Sequence, residues 1–221
     1  MLAALLICIA CGDKPATSGN GNDEAAQIAL EMEQLSSDDA EARATALERL
    51  AGFDGAKEAA PKAVELLSDP ATAVKMGAIQ VIQKFKYNTP ESVGALESLA
   101  KEGEDPGVKE NALFALSYIG ANEQFVAICK EHLASGDPDR MCVGANGLAR
   151  GGEDAAKAAQ AEIIAGLESK DPCVRGQCAV AVGNLGADAP PEAKSAVQKL
   201  TKDKDESVAE NAKAAMAAIN Q

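Results

Sequence analysis

The chain has 221 residues, of which 47% are hydrophobic and only 3% aromatic, and it contains no tryptophan. A core built on alanine, valine, leucine and isoleucine suits closely packed helices better than a β-sandwich, so the composition predicts an all-α protein. The formal net charge of −13 argues against nucleic acid and anionic membrane surfaces as partners, and is typical of a solvated surface.

The first ten residues carry no charged side chain and predict a signal peptide over residues 1–10. As a helix they would rise only about 15 Å, too little for a hydrocarbon core of roughly 30 Å, so a membrane span is not expected. Residues 11–22 are rich in Gly, Ser, Asn and Asp after the initial cysteine. They are expected to form a flexible tether, because this composition buries too little surface to become ordered.

The junction of these two segments resembles the lipobox of bacterial lipoproteins, because the small residue Ala10 directly precedes Cys11. The sequence departs from that family at Cys8, where leucine is usual, and it has no Lys or Arg before the apolar run. The resemblance implies lipidation of Cys11 and a location in the bacterial cell envelope, on the periplasmic or extracellular side, with membrane contact only through the lipid. An ordinary secretory signal and an apolar start without a targeting role are the alternatives.

A pattern of sixteen residues recurs through the rest of the chain. Its clearest copies are DPGVKENALFALSYIG from Asp105 and DPCVRGQCAVAVGNLG from Asp171. Counted from the fourth residue of these two copies, small or aliphatic residues occupy positions +4, +7, +8 and +11, which is the spacing of one buried stripe on an α-helix. The equivalent residue of each copy, here called its origin or position 0, recurs at intervals of 32 or 34 residues: Ala42, Val74, Val108, Arg140, Val174 and Val208. In the fourth copy Met141 is an alternative origin.

Local signals place the ends of these helices. Asp-Pro precedes several of the stripes, where the aspartate can cap free amides and the proline fits the first helical turn. Glycines at position +12 are suited to end a helix in the left-handed conformation, and they are Gly120, Gly152 and Gly186. A second apolar segment lies between copies and keeps the period, as shown by Cys129, Ile163 and Val197. Helix pairs of this kind must stack on their neighbours, so residues 23–221 are predicted to form one α-solenoid of about six helical hairpins.

The consensus D-P-x-V-R-x-x-A-x-x-A-L-x-x-I-G resembles the short bacterial HEAT repeat, the type named after phycobilisome lyases. A tetratricopeptide array has a similar period, but its first helix requires large aromatic residues that these copies lack. The resemblance implies an α-α superhelix of the armadillo type, in which the second helix of each pair lines the concave face. It also implies a ladder in which a loop aspartate and the following basic residue join stacked repeats: Asp69 with Lys75, Asp105 with Lys109, and Asp171 with Arg175.

The remaining cysteines and the single histidine show no catalytic or metal-binding pattern. Cys129 and Cys178 fall on the stripes and are expected to be small core residues. Cys142 and Cys173 lie near the loop ends of adjacent inner helices, where an oxidising compartment would permit a disulfide, although sequence alone cannot fix the pairing. His132 is expected to be solvated on an outer helix. We predict no cofactor, no metal and no enzymatic activity.

Side chains between the stripe positions are expected to face the concave surface. Aromatic side chains beside amides would form a protein- or peptide-binding groove there, although both rings could instead pack against neighbouring repeats. The sequence therefore favours a monomeric, non-catalytic scaffold for another protein. A bilin-lyase-like or lyase-associated subunit, which the repeat type permits, and a purely structural spacer are the alternatives. The candidate groove residues are Asn111, Phe114, Tyr118, Asn146, Arg150, Gln177 and Asn184.

Overall fold

The computed structural model describes residues 21–221, which form helices and their connections without any strand in this range. The predicted signal peptide, Cys11 and most of the predicted tether lie outside the described residues. The first helix already begins at Gly21. Across the described range, no helix combines the length and the apolarity that crossing a membrane would require.

The helices form six stacked hairpins, which confirms the predicted all-α solenoid. We call them repeats 1 to 6, spanning residues 21–53, 54–86, 87–120, 121–151, 152–186 and 187–221. The first helices of the hairpins are the outer helices α1 (Gly21–Gln34), α3 (Ala59–Leu66), α5 (Pro90–Glu102), α7 (Asn122–Leu133), α9 (Gly152–Ala158) with α10 (Gln160–Gly166), and α12 (Pro191–Leu200). The second helices are the inner helices α2 (Ala40–Gly52), α4 (Thr72–Lys84), α6 (Pro106–Tyr118), α8 (Pro138–Arg150), α11 (Pro172–Asn184) and α13 (Glu206–Ile219).

The two layers of helices are packed differently. Three pairs of inner helices lie closely side by side, α2 with α4, α8 with α11, and α11 with α13, whereas α6 and α8, like neighbouring outer helices, touch at few positions. Two turns of 3-10 helix, Ala56–Glu58 and Gly186–Asp188, precede outer helices, and the outer helix of repeat 5 is divided in two at Ala159. Between repeats 1 and 2 and along repeats 4 to 6, the inner helices stand closer together than the outer ones, so the array curves there with its inner layer on the concave side.

Side-chain caps start the inner helices as the sequence predicts. The carboxylates of Asp105, Asp171 and Asp205 each accept a hydrogen bond from the position 0 amide, at 3.0, 3.2 and 3.1 Å. Position +12 counted from Val108, Arg140 and Val174 is glycine, and Gly120, Gly152 and Gly186 all adopt positive φ. In repeat 2 the same position is Lys86, with φ of 47°. The stop is therefore a property of the repeat geometry, which glycine satisfies at the lowest steric cost.

The fourth copy takes Arg140 as its origin. The Asp137 carboxylate accepts from the Arg140 amide at 3.1 Å, which matches the cap in the other repeats. Positions +4 and +7 are then Gly144 and Gly147, and both face α7. A Cβ at Gly147 would lie 2.5 Å from the Sγ of Cys129, so α7 approaches α8 more closely than any side chain there would permit.

Candidate protein-binding surface

The concave side of the array is formed by positions +3, +6 and +10 of the inner helices, which we call the inner surface. Most of these side chains are exposed or half-buried. Only Glu48, Lys84 and Arg150 among them are charged, although the whole chain has a net charge of −13. Amide side chains are twice as numerous as charged ones at these positions, and they are Gln80, Asn111, Asn146, Gln177, Asn184 and Asn211.

The predicted groove residues lie on this surface, on the consecutive inner helices α6, α8 and α11. Tyr118 is 63% exposed at the C-terminal end of α6. Phe114, one turn earlier, is half-buried, because the Arg150 guanidinium lies 4.1 Å above its ring centroid and the Phe125 ring lies 6.5 Å away. Phe114 thus packs between repeats 3 and 4, whereas Tyr118 stays open to a partner.

The amide side chains divide into two groups. Asn184 donates to the carbonyl of Ala149 in the preceding repeat at 2.7 Å, and Asn111 donates to Gly107 in its own helix at 2.8 Å. Among the described residues, no hydrogen bond engages the side chains of Asn146 and Gln177. Each of these two amides offers donors and an acceptor at the surface, the combination that pairs with the main chain of an extended peptide.

The ladder between repeats exists, but its partners differ from the predicted ones. Arg175 forms a bidentate pair with Asp203 of the next repeat, with both nitrogen-oxygen distances at 2.9 Å. Arg43 pairs in the same way with Asp69, at 2.9 and 3.0 Å. In each case the arginine at position +1 contacts an aspartate at position −5 of the following repeat. Asp69 and Arg175 are ladder residues, therefore, but Lys75 and Asp171 are not their partners.

The remaining predicted pairing, Asp105 with Lys109, is wrong for the same geometric reason. Asp105 and Asp171 stand at position −3, where their carboxylates cap their own helices. Lys75 and Lys109 stand at position +1, but position −5 of the next repeat is not acidic, so within residues 21–221 neither forms an ion pair. The ladder thus depends on which residue occupies position −5 of the following repeat.

The carboxylates of the ladder remain ionised at neutral pH. Burial raises the pKa of Asp69, but hydrogen bonds from Arg43 and from the Ala71 amide outweigh this effect, so the pKa is lowered overall. The hydrogen bond from Arg175 lowers the pKa of Asp203, and the Asp205 amide adds to the shift. Charge-assisted bidentate pairs of this kind, with side chains that are almost entirely buried, fix the angle between adjacent repeats.

The four cysteines of the described chain fall into two pairs. Cys142 and Cys173 form a disulfide between the N-terminal ends of α8 and α11, with their Cα atoms 5.6 Å apart. Cys129 and Cys178 are free and fully buried, in agreement with the expected core role. Burial raises the pKa of both thiols to about 12, so neither supplies a thiolate nucleophile at neutral pH.

The expectation of a solvated His132 is wrong. Its side chain is 5% exposed, and the glycine face of α8 lets α7 approach closely enough to bury it. Burial lowers the pKa of the imidazole, and the positive charges of Arg140 on α8, Lys109 on α6 and Lys101 on α5 lower it further, against an opposing effect of Glu131 on α7. The imidazole is therefore neutral at pH 7. No cluster of three or more metal-ligating side chains occurs in the described part of the chain.

Comparison with known proteins identifies the fold. Residues 28–117, which extend from α1 to α6, match the family model described as HEAT repeats. Designed armadillo repeat protein YIII(Dq)4CqI superimposes with a TM-score of 0.52 and 21% identity, over 87% of this chain and 100% of that chain. The protein has the fold of an armadillo/HEAT-type α-solenoid. An engineered protein of known structure agrees, with a TM-score of 0.56 and 23% identity over 87% of this chain and 96% of that chain.

A third solenoid was solved with a ligand. Designed armadillo repeat protein YIII(Dq.V1)4CPAF, in complex with peptide (KR)4, superimposes on this solenoid with a TM-score of 0.57 and 21% identity, over 87% of this chain and 99% of that chain. At this level of identity the likeness concerns the fold alone. No curated protein matches the chain.

Proposed function

We propose that this solenoid is a non-catalytic scaffold that binds an extended segment of another protein on its inner surface. The observation that carries this proposal is that consecutive inner helices present amide side chains without an intramolecular hydrogen bond, next to an exposed aromatic side chain. Asn146, Gln177 and Tyr118 present hydrogen-bond donors, acceptors and an exposed aromatic ring, and Arg150 is the single charged residue at positions +3, +6 and +10 of α6, α8 and α11. A surface of amides and an aromatic side chain can contact main chain and apolar side chains alike.

The spacing of the inner helices suits an extended ligand. Packed helices lie about 8–10 Å apart, and an extended chain rises about 3.3 Å per residue, so a bound segment would meet a new inner helix roughly every three residues. Amides on successive helices could then hydrogen-bond the ligand backbone at regular intervals. Peptide binding by a designed armadillo protein of the same fold supports this mode. The basic peptide of that complex is not the expected ligand type, because this inner surface carries hardly any carboxylates.

We further propose that the scaffold acts in the bacterial cell envelope, held by a lipid on Cys11. The support for this placement is the lipobox-like junction Ala10-Cys11 in the sequence. The Cys142–Cys173 disulfide suits such an oxidising location, because disulfides are rare in the cytosol. Labelling with a lipid precursor tests the anchor: label should be lost in Cys11→Ala, and label that persists in this variant would refute the lipidation site.

Site-specific photocrosslinking tests the binding surface. A benzoylphenylalanine residue at Tyr118 replaces one exposed ring with another, and the same residue at Glu123, exposed on outer helix α7, is the matched control. We expect a discrete crosslinked protein from position 118 and none, or a different set, from position 123. Identical products from both positions would contradict the proposal, and no product from position 118 would favour the structural spacer. A tetrapyrrole copurifying with the protein would favour the lyase-related role.

A further inference from the structure

Disulfides and buried ion pairs between adjacent inner helices, here called ties, are distributed unevenly along the solenoid. Each of the five interfaces between repeats has a ladder site, formed by position +1 of one repeat and position −5 of the next. The interface between repeats 1 and 2, called interface 1/2, has the Arg43–Asp69 pair. Interface 5/6, named in the same way, has the Arg175–Asp203 pair. Both arginines also donate to the carbonyls of their own positions −5 and −4, so each side chain is held at both ends.

Interface 4/5 lacks the ion pair but has a covalent tie. Its ladder site holds Met141 and Ser169, and the Cys142–Cys173 disulfide lies directly beside it. The hydrogen bond from Asn184 to the Ala149 carbonyl joins the other end of the same two helices. Repeats 4, 5 and 6 are thus linked by one disulfide and one buried ion pair.

The two interfaces of repeat 3 have neither a disulfide nor a buried ion pair between their inner helices, although Lys101 on α5 and Glu131 on α7 form a partly exposed ion pair at 3.9 Å in the outer layer of interface 3/4. The ladder site of interface 2/3 holds Lys75 and Gly103, and that of interface 3/4 holds Lys109 and Ser135. Within the described residues, no disulfide and no ion pair joins α6 to α4 or to α8. Ser135 still accepts from the Asp137 amide, which shows that position −5 keeps its turn geometry without the carboxylate that an arginine would need.

The packing of the inner helices also differs between interfaces with a tie and interfaces without one. In interface 1/2, Gly77 lies against Leu47, where a Cβ would come within 2.9 Å, and in interface 5/6 Gly183 lies equally close to Ala215. Glycine at these contacts lets the inner helices interlock. Between α6 and α8, by contrast, the helices touch at few positions and the gap holds the Phe114 ring under the Arg150 guanidinium.

We propose that repeat 3 is a hinge between two stiff arms, formed by repeats 1–2 and repeats 4–6. Both sides of α6 can change their packing angle, because no disulfide or buried bidentate pair defines it. Motion at this hinge changes the curvature of the inner surface at the helix that carries Tyr118. The proposal concerns the free protein and does not depend on the proposed function.

Interspin distances measure this motion. One pair of spin labels, at Lys57→Cys and Asp154→Cys, reports on the two arms relative to each other, and a second pair, at Asp154→Cys and Lys213→Cys, reports within the C-terminal arm. All three positions are exposed, labelling without reductant preserves the disulfide, and the buried thiols of Cys129 and Cys178 do not react. The protein carries Cys8→Ser and Cys11→Ser, so that the label attaches only to the introduced cysteines. Pulsed electron resonance then gives a distance distribution for each pair.

Two double variants exchange the ladder sites. Lys109→Arg/Ser135→Asp copies the ion pair of interface 5/6 into interface 3/4, and we expect it to narrow the distribution between arms and leave the one within the arm unchanged. Arg175→Lys/Asp203→Ser copies the untied site into interface 5/6 and is expected to broaden the distribution within the arm. Unchanged widths in either variant would overturn the assignment of the hinge to the missing ties. A distribution between arms that is as narrow as the one within the arm in the unsubstituted protein would overturn the hinge itself.

Discussion

The disulfide between α8 and α11 makes a sharp prediction about stability. Cys142 and Cys173 are separated by 31 residues in the sequence, so the bond closes a loop of about that length in the unfolded chain. The chain-entropy relation for a loop of this length gives about 3.7 kcal/mol of stabilisation at 25 °C. For a chain of this size, the corresponding fall in melting temperature on reduction is about 7–15 °C.

Urea unfolding with and without reductant measures this contribution. The double variant Cys142→Ser/Cys173→Ser is the matched control, and it should unfold at the urea concentration of the reduced protein in both conditions. Unfolding exposes the thiols of Cys129 and Cys178, so both proteins carry alanine at these two positions and at Cys8 and Cys11 to prevent exchange with the disulfide. A midpoint that is the same with and without reductant would refute the reasoning, since it would mean that the bond is absent or does not restrict the unfolded chain.

Three further predictions concern the ladder, the buried histidine and the glycine face of α8. Arg175→Ala leaves a buried carboxylate without its ion pair and should lower the free energy of unfolding in urea by about 3 kcal/mol. Lys109→Ala, at a ladder site without an ion pair, should lower it by less than about 0.5 kcal/mol, and equal losses would contradict the ladder assignment. Stability should fall as pH drops below about 6.5, because the unfolded His132 imidazole binds a proton that the folded one, with its lowered pKa, does not. His132→Leu should lack this slope, and a slope that is unchanged in the variant would contradict the burial of a neutral imidazole. Gly147→Ala should destabilise the fold by about 1–3 kcal/mol through overpacking, whereas Gly94→Ala, which faces open space on α5, should stabilise it by up to about 1 kcal/mol. Thermal melting distinguishes the two variants, and an unchanged melting temperature in Gly147→Ala would refute the close contact.

The helical architecture could be predicted because its signals are local. Each stripe, cap and stop lies within one sixteen-residue copy, so the spacing from Asp105 to Gly120 contains everything needed to place one inner helix. The burial of Cys129 and Cys178 followed in the same way from their positions on the stripes. The orientation of side chains between stripe positions also followed, since a helix has only one face left once the stripe is buried.

The ladder partners and the burial of His132 could not be predicted within one copy, because they depend on contacts between elements. The sequence did contain a signal for the ladder: aspartate occurs at position −5 in Asp69 and Asp203, directly after the two copies with arginine at position +1. For His132, the signal was the run of glycines Gly144, Gly147 and Gly151 at stripe positions, which predicts that the neighbouring helix comes unusually close. Both signals become visible only when neighbouring elements are compared.

The affinity of the crosslinked partner for inner-surface variants tests the proposed role most directly. Each amide hydrogen bond contributes about 0.5–1.5 kcal/mol, so Asn146→Ala/Gln177→Ala should weaken binding between about fivefold and a hundredfold without changing the melting temperature. The outer-surface control Ser98→Ala/Glu123→Ala should bind as the wild type does. If the inner-surface variant binds its partner with wild-type affinity, the concave amides are not the binding surface.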